Sequence, residues 1–226
     1  MAKLAWLLVT VLATAGCAVP VPDPPAAPGS PTRAELTALL DRVRVVAARP
    51  HPGGYERGCK AGQGCVFGPA WTDDTDAPGG HDGCDTRNNV LAAQLREVVR
   101  RGRCVVVAGI LTDPYTGTDL PFRKSEGGRI QIDHVYPLAA AWDMGAATWP
   151  LDRRRRFAND LSVNLLATSA ATNQAKRDHT PADWLPPAHP NHCFYAAKYL
   201  TAATDYDLPI TTADHTRLHE VARNCP

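Results

Sequence analysis

The chain has little excess charge and no hydrophobic run long enough to cross a bilayer. Its 226 residues carry 24 Lys and Arg against 23 Asp and Glu, a net charge of +1. No global field therefore draws the protein to nucleic acid, and any basic footprint must be local. The apolar run of residues 4–15, interrupted by Thr10 and Thr14, is shorter than the roughly 18–20 residues of a spanning helix. A transmembrane anchor is not expected.

The short apolar run is typical of a signal peptide, because Lys3 precedes it and small residues follow it. We expect residues 1–17 to be this peptide and the protein to be secreted. Cys17 is alternatively a lipidation site that anchors the protein at the cell surface, although its box of small residues lacks the usual Leu. Residues 18–32 are rich in proline and predict an extended tether before one domain over residues 33–226.

The cysteines contain no Cys-x-x-Cys pair, which disfavours the alternative that they bind a metal. Apart from Cys17 there is an even number of them, as expected for disulfides in an oxidising compartment. Several pairings are open to such a set. We predict three local ones: Cys59 with Cys65, Cys84 with Cys104 across the ends of a helix, and Cys193 with Cys225 between the C-terminal helices.

Hydrophobic periodicity predicts a domain of the α+β class. A capping box of Thr32 and Glu35 opens a helix expected over residues 33–48. Asp85 or Thr86 caps a second helix, which Gly102 is expected to end. Apolar runs predict strands at residues 104–111, 120–122 and 130–135. Residues 51–83, rich in Gly, Pro and Asp, are expected to be an irregular disulfide-bonded loop. Residues 161–167 should be extended or a loop, and further helices are expected near residues 138–146, 151–158, 169–176, 191–204 and 212–223.

The chemistry is concentrated in Asp133-His134, Asn164, Asn173 and Lys176. His134 is suited to act as a general base on water near neutral pH, provided that a backbone carbonyl holds its other nitrogen. Asp133 and Asn173 supply the oxygen ligands that Mg²⁺ or Mn²⁺ prefers. Lys176 lies one helical turn after Asn173 and is expected to meet a phosphate oxygen. Asn164 would fix the loop or orient His134.

Several of these assignments have alternatives. Asp133 and His134 point to opposite faces of an extended strand, so a bend or bulge is needed to bring both to one site. Asn159 competes with Asn164 for the middle position. Arg87 and Arg177 are candidates for substrate phosphate, although Arg87 could instead support a helix cap. The basic residues 153–156 and the loop aromatics, Trp71 among them, fit either nucleic-acid contact or an ordinary surface and core.

These residues resemble the HNH, or ββα-metal, endonucleases. Asp133-His134-Val135-Tyr136-Pro137, Asn164 and Asn173-Gln174-Ala175-Lys176 are similar to the Asp-His-x-x-Pro, Asn and Asn-x-x-Lys pattern that CRISPR-effector HNH domains also have. The resemblance implies that Asp133 and Asn173 are metal ligands, His134 the base and Asn164 the middle Asn.

A wider stretch resembles secreted bacterial HNH proteins related to the C-terminal domain of GmrSD-type restriction enzymes. The segments that carry this resemblance are Gly83-Cys84-Asp85-Thr86-Arg87-Asn88, Asp113-Pro114-Tyr115-Thr116-Gly117 and Phe157-Ala158-Asn159-Asp160-Leu161. The chain departs from the pattern in the loop of Cys59 and Cys65, and in Asp178-His179, where Gly-Asp is expected.

Together these observations predict an HNH ββα-metal core within a mostly helical, disulfide-bonded single domain. The expected activity is metal-dependent hydrolysis of nucleic-acid phosphodiesters, with DNA as the expected substrate and low sequence specificity because no base-reading motif is visible. His134, Asn164 and Lys176 are the predicted catalytic residues, and the protein is expected to act as a monomer. The alternative is a non-catalytic secreted domain that binds nucleic acid or the cell envelope.

Overall fold

The computed structural model describes residues 26, 27 and 29–226. The predicted signal peptide, Cys17 and most of the predicted tether lie outside the described residues. Where the tether is described, it contacts the domain, since the Ala27 N–H donates to the Pro190 carbonyl at 2.8 Å. No helix in this described part is long and apolar enough to cross a membrane.

Helix α1 (Arg33–Arg42) begins at the predicted capping box. The Thr32 side chain accepts from the Glu35 N–H, and the Glu35 carboxylate accepts from the Thr32 N–H. The expectation that this helix continues to residue 48 is wrong. Strand β1 (Val45–Val46) follows it and pairs in parallel with Ile210–Thr211. β-Branched valines favour an extended chain once a partner strand is available.

Helix α2 (Thr86–Gln94) begins at Asp85 as predicted, but it ends well before Gly102. Strand β2 (Leu95–Arg101) follows at once and pairs antiparallel with β3 (Val105–Thr112), which pairs in turn with β4 (Asp119–Arg123). Gly102, with a φ of 64°, lies in the turn between β2 and β3. Gly102 therefore marks a hairpin turn and does not end a helix.

All three predicted disulfides are confirmed: Cys59–Cys65, Cys84–Cys104 and Cys193–Cys225. The second does not join the ends of a helix. It connects the residue before the Asp85 cap to the turn between β2 and β3, because the predicted second half of the helix is a strand.

The centre of the domain is strand β5 (Ile130–His134), paired antiparallel with β6 (Leu165–Ser169). Helices α3 (Leu138–Asp143) and α4 (Leu151–Asn159) connect the two strands, and β6 leads directly into α5 (Ala170–Lys176). The chain ends with α6 (His192–Asp205), β7 (Ile210–Thr211) and α7 (Thr212–Arg223), close to the predicted C-terminal helices. Short 3-10 turns lie at Lys124–Glu126, Ala146–Thr148 and His189–Asn191.

The pair of β5 and β6 lies between two apolar clusters. Ile130, Ile132 and Leu165 belong to a cluster with α2 and the β2–β3–β4 sheet. Val135 and Leu166 belong to a larger cluster built mainly on the helices α1, α3, α4, α6 and α7. The fold is therefore a mixed α and β single domain, in which Asp133 and His134 are fixed where the two clusters meet.

Candidate active site

Asp133 and His134 lie at the end of β5 and line one open cleft of about 650 Å³. We call it the His134 cleft, and six of its lining residues matter below: Arg57, Trp71, Asp133, His134, Asn173 and Arg177. The ladder between β5 and β6 stays in register from Ile130 to His134, so no bulge interrupts this pair of strands, and the chain bends directly after it at Val135 and Tyr136. The two residues also differ in depth, because Asp133 is 4% exposed and His134 is half-buried.

Asp133 is held by a buried network of hydrogen bonds. The Tyr115 hydroxyl donates to its Oδ2 at 2.5 Å, and the Lys176 ammonium lies 3.0 Å from Oδ1 and 2.9 Å from Oδ2. Burial raises the pKa of the Asp133 carboxyl, against the lowering effect of Lys176 and Tyr115. Burial likewise lowers the pKa of Lys176. Each partner thus keeps its charge largely because the other is present.

Lys176 does not have the predicted role at substrate phosphate. Its side chain is 0% exposed, and its ammonium also donates to the His134 carbonyl at 2.9 Å. The helical spacing correctly placed Lys176 beside the site, but α5 packs on β5 and turns this side chain into the interior. Lys176 is therefore a positioning residue that supports the strand end, and it lies outside the surface that a substrate could reach.

The His134 ring is fixed on two sides. Its Nε2 bonds the Ala158 carbonyl at 2.8 Å, as the base assignment requires, so Nε2 carries the hydrogen and Nδ1 keeps a lone pair. The Trp71 ring stacks on the imidazole with 5.5 Å between centroids and 10° between planes. Burial, with smaller contributions from Arg57 and Lys176, lowers the pKa of His134 to about 3 against the raising effect of the Ala158 carbonyl. The imidazole is consequently neutral at neutral pH, with the Nδ1 lone pair unprotonated.

Asn164 fixes the chain just after His134. Its side chain is fully buried, and its Oδ1 accepts from the Tyr136 N–H at 2.8 Å while its Nδ2 donates to the Tyr136 carbonyl at 3.2 Å. This is the loop-fixing role that the sequence left open, and it makes Asn164 a positioning residue. Asn159 makes no such contact, since its Nδ2 donates to the Arg155 carbonyl within α4.

Asn173 presents its amide to the same cleft. Its Nδ2 donates to Gln131 at 2.8 Å, which leaves the Oδ1 oxygen available to a ligand. Asp133 and Asn173 thus each bring to the cleft an oxygen of the kind that a hard cation prefers, and a second carboxylate, Asp178, lines the same cleft. Among the described residues no group of three or more His, Cys, Asp and Glu could hold a metal ion. A cation on Asp133 and Asn173 would have to complete its shell with water and phosphate.

The two candidate phosphate ligands lie in different places. Arg177, with a φ of 54° at the end of α5, is exposed and lines the His134 cleft. Arg87 does not line that cleft. It donates to the Ile130 carbonyl at 2.9 Å and lines a neighbouring cleft, so its role in helix capping is not supported either.

Sequence reasoning missed Arg57 and left Trp71 as one loop aromatic among several. Both come from the loop of residues 51–83, where no periodicity indicates which side chains are functional. Arg57 is half-buried and donates to the Gly68 carbonyl at 2.8 Å. Trp71 has a φ of 59°, uncommon for a bulky residue, and its carbonyl accepts from the Thr86 N–H at 3.1 Å. Backbone strain of this kind concentrates at functional sites.

The cleft is lined by two arginines and two aspartates. Asp133 is paired with Lys176, and Asp178 binds Arg49 at 3.0 Å, a guanidinium that Asp143 also binds at 2.7 Å. Arg57 and Arg177 form no ion pair with any residue in the described part of the chain, and neither is compensated. Two free guanidinium groups beside a neutral imidazole favour an anionic ligand, phosphate above all.

Comparison with known proteins identifies a relative and a family. A protein from Arthroderma benhamiae described as "Uncharacterized secreted protein" is 34% identical over 218 residues, which cover 96% of this chain and 95% of that protein. This relative is fungal, so the similarity extends beyond the bacterial proteins that the motifs resemble. No solved structure matches the chain. The family model of GmrSD restriction endonucleases, C-terminal domain, matches residues 85–221, more than half of the chain, and the protein therefore belongs to that family.

Proposed function

We propose that the protein is a secreted, metal-dependent endonuclease of the HNH type that hydrolyses phosphodiester bonds in nucleic acid, with DNA as the substrate. The family supports a nuclease-related role. The observation that carries the proposal is His134, which keeps Nδ1 free while the Ala158 carbonyl holds Nε2. It does so in a cleft with oxygen donors at Asp133 and Asn173 and two uncompensated arginines.

In this proposal His134 Nδ1 takes a proton from the attacking water, and a neutral imidazole is the form that can do so. Arg57 and Arg177 bind non-bridging oxygens of the scissile phosphate. Trp71 keeps the imidazole plane fixed, and Asn164 keeps the chain after His134 in place. Bound Mg²⁺ or Mn²⁺, held by Asp133 and Asn173, would supply charge stabilisation at the phosphate and the leaving oxygen.

Secretion is supported by the three disulfides and by the description of the fungal relative. A lipid anchor at Cys17 and a monomeric state remain predictions from the sequence. Mass spectrometry of the mature N-terminus distinguishes an acylated Cys17 from simple signal cleavage.

The decisive experiment incubates the oxidised full chain with supercoiled plasmid and Mg²⁺ or Mn²⁺. We expect nicking that EDTA abolishes and that His134→Ala reduces by about 10²–10⁴-fold, the usual contribution of a general base. His215→Ala, which removes a histidine on α7 away from the cleft, is the matched control and should cut like the parent. Plasmid that is bound in a gel but never cut would contradict the nuclease proposal and favour the non-catalytic binding domain.

A further inference from the structure

A second cleft adjoins the His134 cleft and shares a wall with it. This Arg87 cleft, of about 410 Å³, is lined by Trp71, Arg87, Leu91, Val106, Phe122 and Lys124 among others. Ala70 and Trp71 line both clefts. The two therefore form one continuous surface, with Trp71 between them.

The Arg87 cleft is amphipathic in a way that suits a nucleotide. Leu91, Val106 and Phe122 belong to the buried apolar cluster beneath it, and Trp71 packs against that cluster. Aromatic and aliphatic walls of this kind accept the flat face of a base, and stacking on tryptophan is tolerant of base identity. Arg87 and Lys124 add two cations to the same cleft, suited to the phosphate that accompanies a base.

Asp85 is an acidic residue that lines the same cleft as these two cations, and its attraction raises the pKa of Arg87. Neither Arg87 nor Lys124 forms an ion pair with any residue of the described ranges, 26–27 and 29–226. The nearby carboxylate of Asp85 is already engaged, accepting from the Asn88 N–H at 2.8 Å and from the Asn88 side-chain amide at 2.7 Å. Burial lowers the pKa of the Arg87 guanidinium against the raising effect of Asp85, so this group has lost part of its hydration while bonding one backbone carbonyl.

Arg87 is also hydrogen-bonded to strand β5. Its Nη2 donates to the carbonyl of Ile130, in the same strand as Asp133 and His134. Trp71 is connected to α2, because its carbonyl accepts from the Thr86 N–H beside Arg87. One backbone hydrogen bond, at Trp71, and one from the Arg87 side chain to a backbone carbonyl thus help to set the relative positions of the two clefts.

We infer that the Arg87 cleft is a nucleotide subsite: an unpaired base next to the scissile phosphate lies against Trp71, and its phosphate is bound by Arg87 and Lys124. The inference rests on the proposed function and names its substrate class as single-stranded nucleic acid. A duplex keeps its bases stacked and paired, and it must break those contacts before a base can enter the cleft. The protein therefore binds a single strand more tightly than the same sequence as a duplex.

The test measures binding and not cleavage. A His134→Ala parent of the full chain, with Mg²⁺ present, is titrated against a fluorescein-labelled DNA strand and against the same strand annealed to its complement, by fluorescence anisotropy. Adding Trp71→Ala should raise the Kd for the single strand about tenfold, the usual loss for one stacked base, and change the duplex Kd much less. Trp71→Phe should recover most of the loss.

A second pair of variants tests the cations. Arg87→Gln with Lys124→Gln should raise the single-strand Kd about tenfold and flatten its dependence on salt, as expected when about two phosphate contacts are removed. Arg42→Gln with Arg223→Gln removes the same charge from α1 and α7, which line neither cleft, and should leave the Kd unchanged. Lys124→Gln alone alters only an exposed side chain, so a weaker single-strand complex in that variant cannot be attributed to misfolding.

The outcomes separate the two proposals. Equal affinity for single strand and duplex, unchanged by Trp71→Ala, would refute the subsite while leaving the nuclease proposal intact. A folded parent that binds neither form of DNA would overturn the nuclease proposal itself. An equal loss for the α1 and α7 charge variant would mean that net charge, and not the Arg87 cleft, governs binding.

Discussion

The two regions that build the cleft are held together in different ways. The unit of β5, β6 and α5 lies inside the family segment and fixes its polar groups through buried hydrogen bonds, as at Asp133, Lys176 and Asn164. The loop of residues 51–83 lies before that segment, contains no helix or strand, and is closed by the Cys59–Cys65 disulfide. It nevertheless supplies Arg57 and Trp71. The core unit and the loop thus both line the cleft, the first with Asp133, His134 and Asn173 and the second with Arg57 and Trp71.

From this difference we predict that stability and substrate binding are separable in this protein. Changes in the core unit should destabilise the fold and reduce activity together, because its polar groups are desolvated and mutually dependent. Changes in the loop should weaken substrate binding with little loss of stability. The predictions below test that division, beginning with the largest expected effect.

Lys176→Met should be the most destabilising single change. It leaves the Asp133 carboxylate buried without its counter-charge, and breaking a buried pair in this way costs about 3–5 kcal/mol. Urea unfolding of the oxidised protein measures the loss. Adding Asp133→Asn should recover part of it, because no charge then remains buried. Lys60→Met, at an exposed site in the loop, is the control, and a Lys176→Met protein as stable as this control would contradict the buried pair.

Removing the Cys193–Cys225 disulfide and removing the Cys59–Cys65 disulfide should affect stability and substrate binding differently. The bond Cys193–Cys225 closes a longer segment between α6 and α7 than Cys59–Cys65 closes in the loop. On the chain-entropy account, replacing the first pair by serines should cost roughly 4 kcal/mol and replacing the second roughly 2 kcal/mol. Only the loop pair should also raise KM for DNA. Thermal unfolding and steady-state kinetics measure the two effects, and a larger stability loss for the loop pair would reverse the comparison.

Arg57→Gln should affect binding more than stability. Its guanidinium lines the cleft and forms no ion pair within residues 26–27 and 29–226, so we expect KM for DNA to rise about tenfold, equivalent to about 1.4 kcal/mol. The shift in unfolding midpoint should stay close to that of Arg101→Gln, an exposed residue of β2. A fall in kcat with KM unchanged would instead place Arg57 at the transition state, contrary to the role of the loop as a binding element.

The smallest effect on stability should come from a substitution in α1, which lies outside both regions. Hydrogen bonds from the Thr32 N–H and hydroxyl lower the pKa of Glu35 below its ordinary value of 4.5. Since the folded value is the lower one, this contribution is present above pH 4.5 and is lost as the pH falls through the folded value. Glu35→Gln should therefore unfold at less urea than the parent at neutral pH, and the two should converge in acid. Glu97→Gln, at an exposed carboxylate that caps no helix, should show no such convergence.

Local signals in the sequence were sufficient for several elements. The capping box of Thr32 and Glu35 begins α1, Ser169 caps α5 through the Thr172 N–H, and both C-terminal helices lie close to their predicted positions. Each of these features depends on residues a few positions apart, so the sequence contains all the information needed.

The wrong boundaries share a different cause. Val90, Leu91, Leu95 and Val98 fit helical spacing, yet the chain changes to a strand at Leu95 because β3 offers it a partner. Helix α1 ends early for the same reason, because Val45–Val46 pairs as a strand with Ile210–Thr211. Short apolar runs are compatible with either structure, and a distant partner decides between them.

The sequence by itself predicted a set of candidate site residues in their order along the chain, and it left several cysteine pairings open, of which the structure has the three local ones that we predicted. Tertiary structure alone decided what each residue touches. Packing of α5 on β5 buried Lys176 against Asp133, and the irregular loop brought Arg57 and Trp71 to the cleft. The physical reason is that residue type and spacing specify chemistry and local conformation. Burial and uncompensated charge arise only when distant segments pack together.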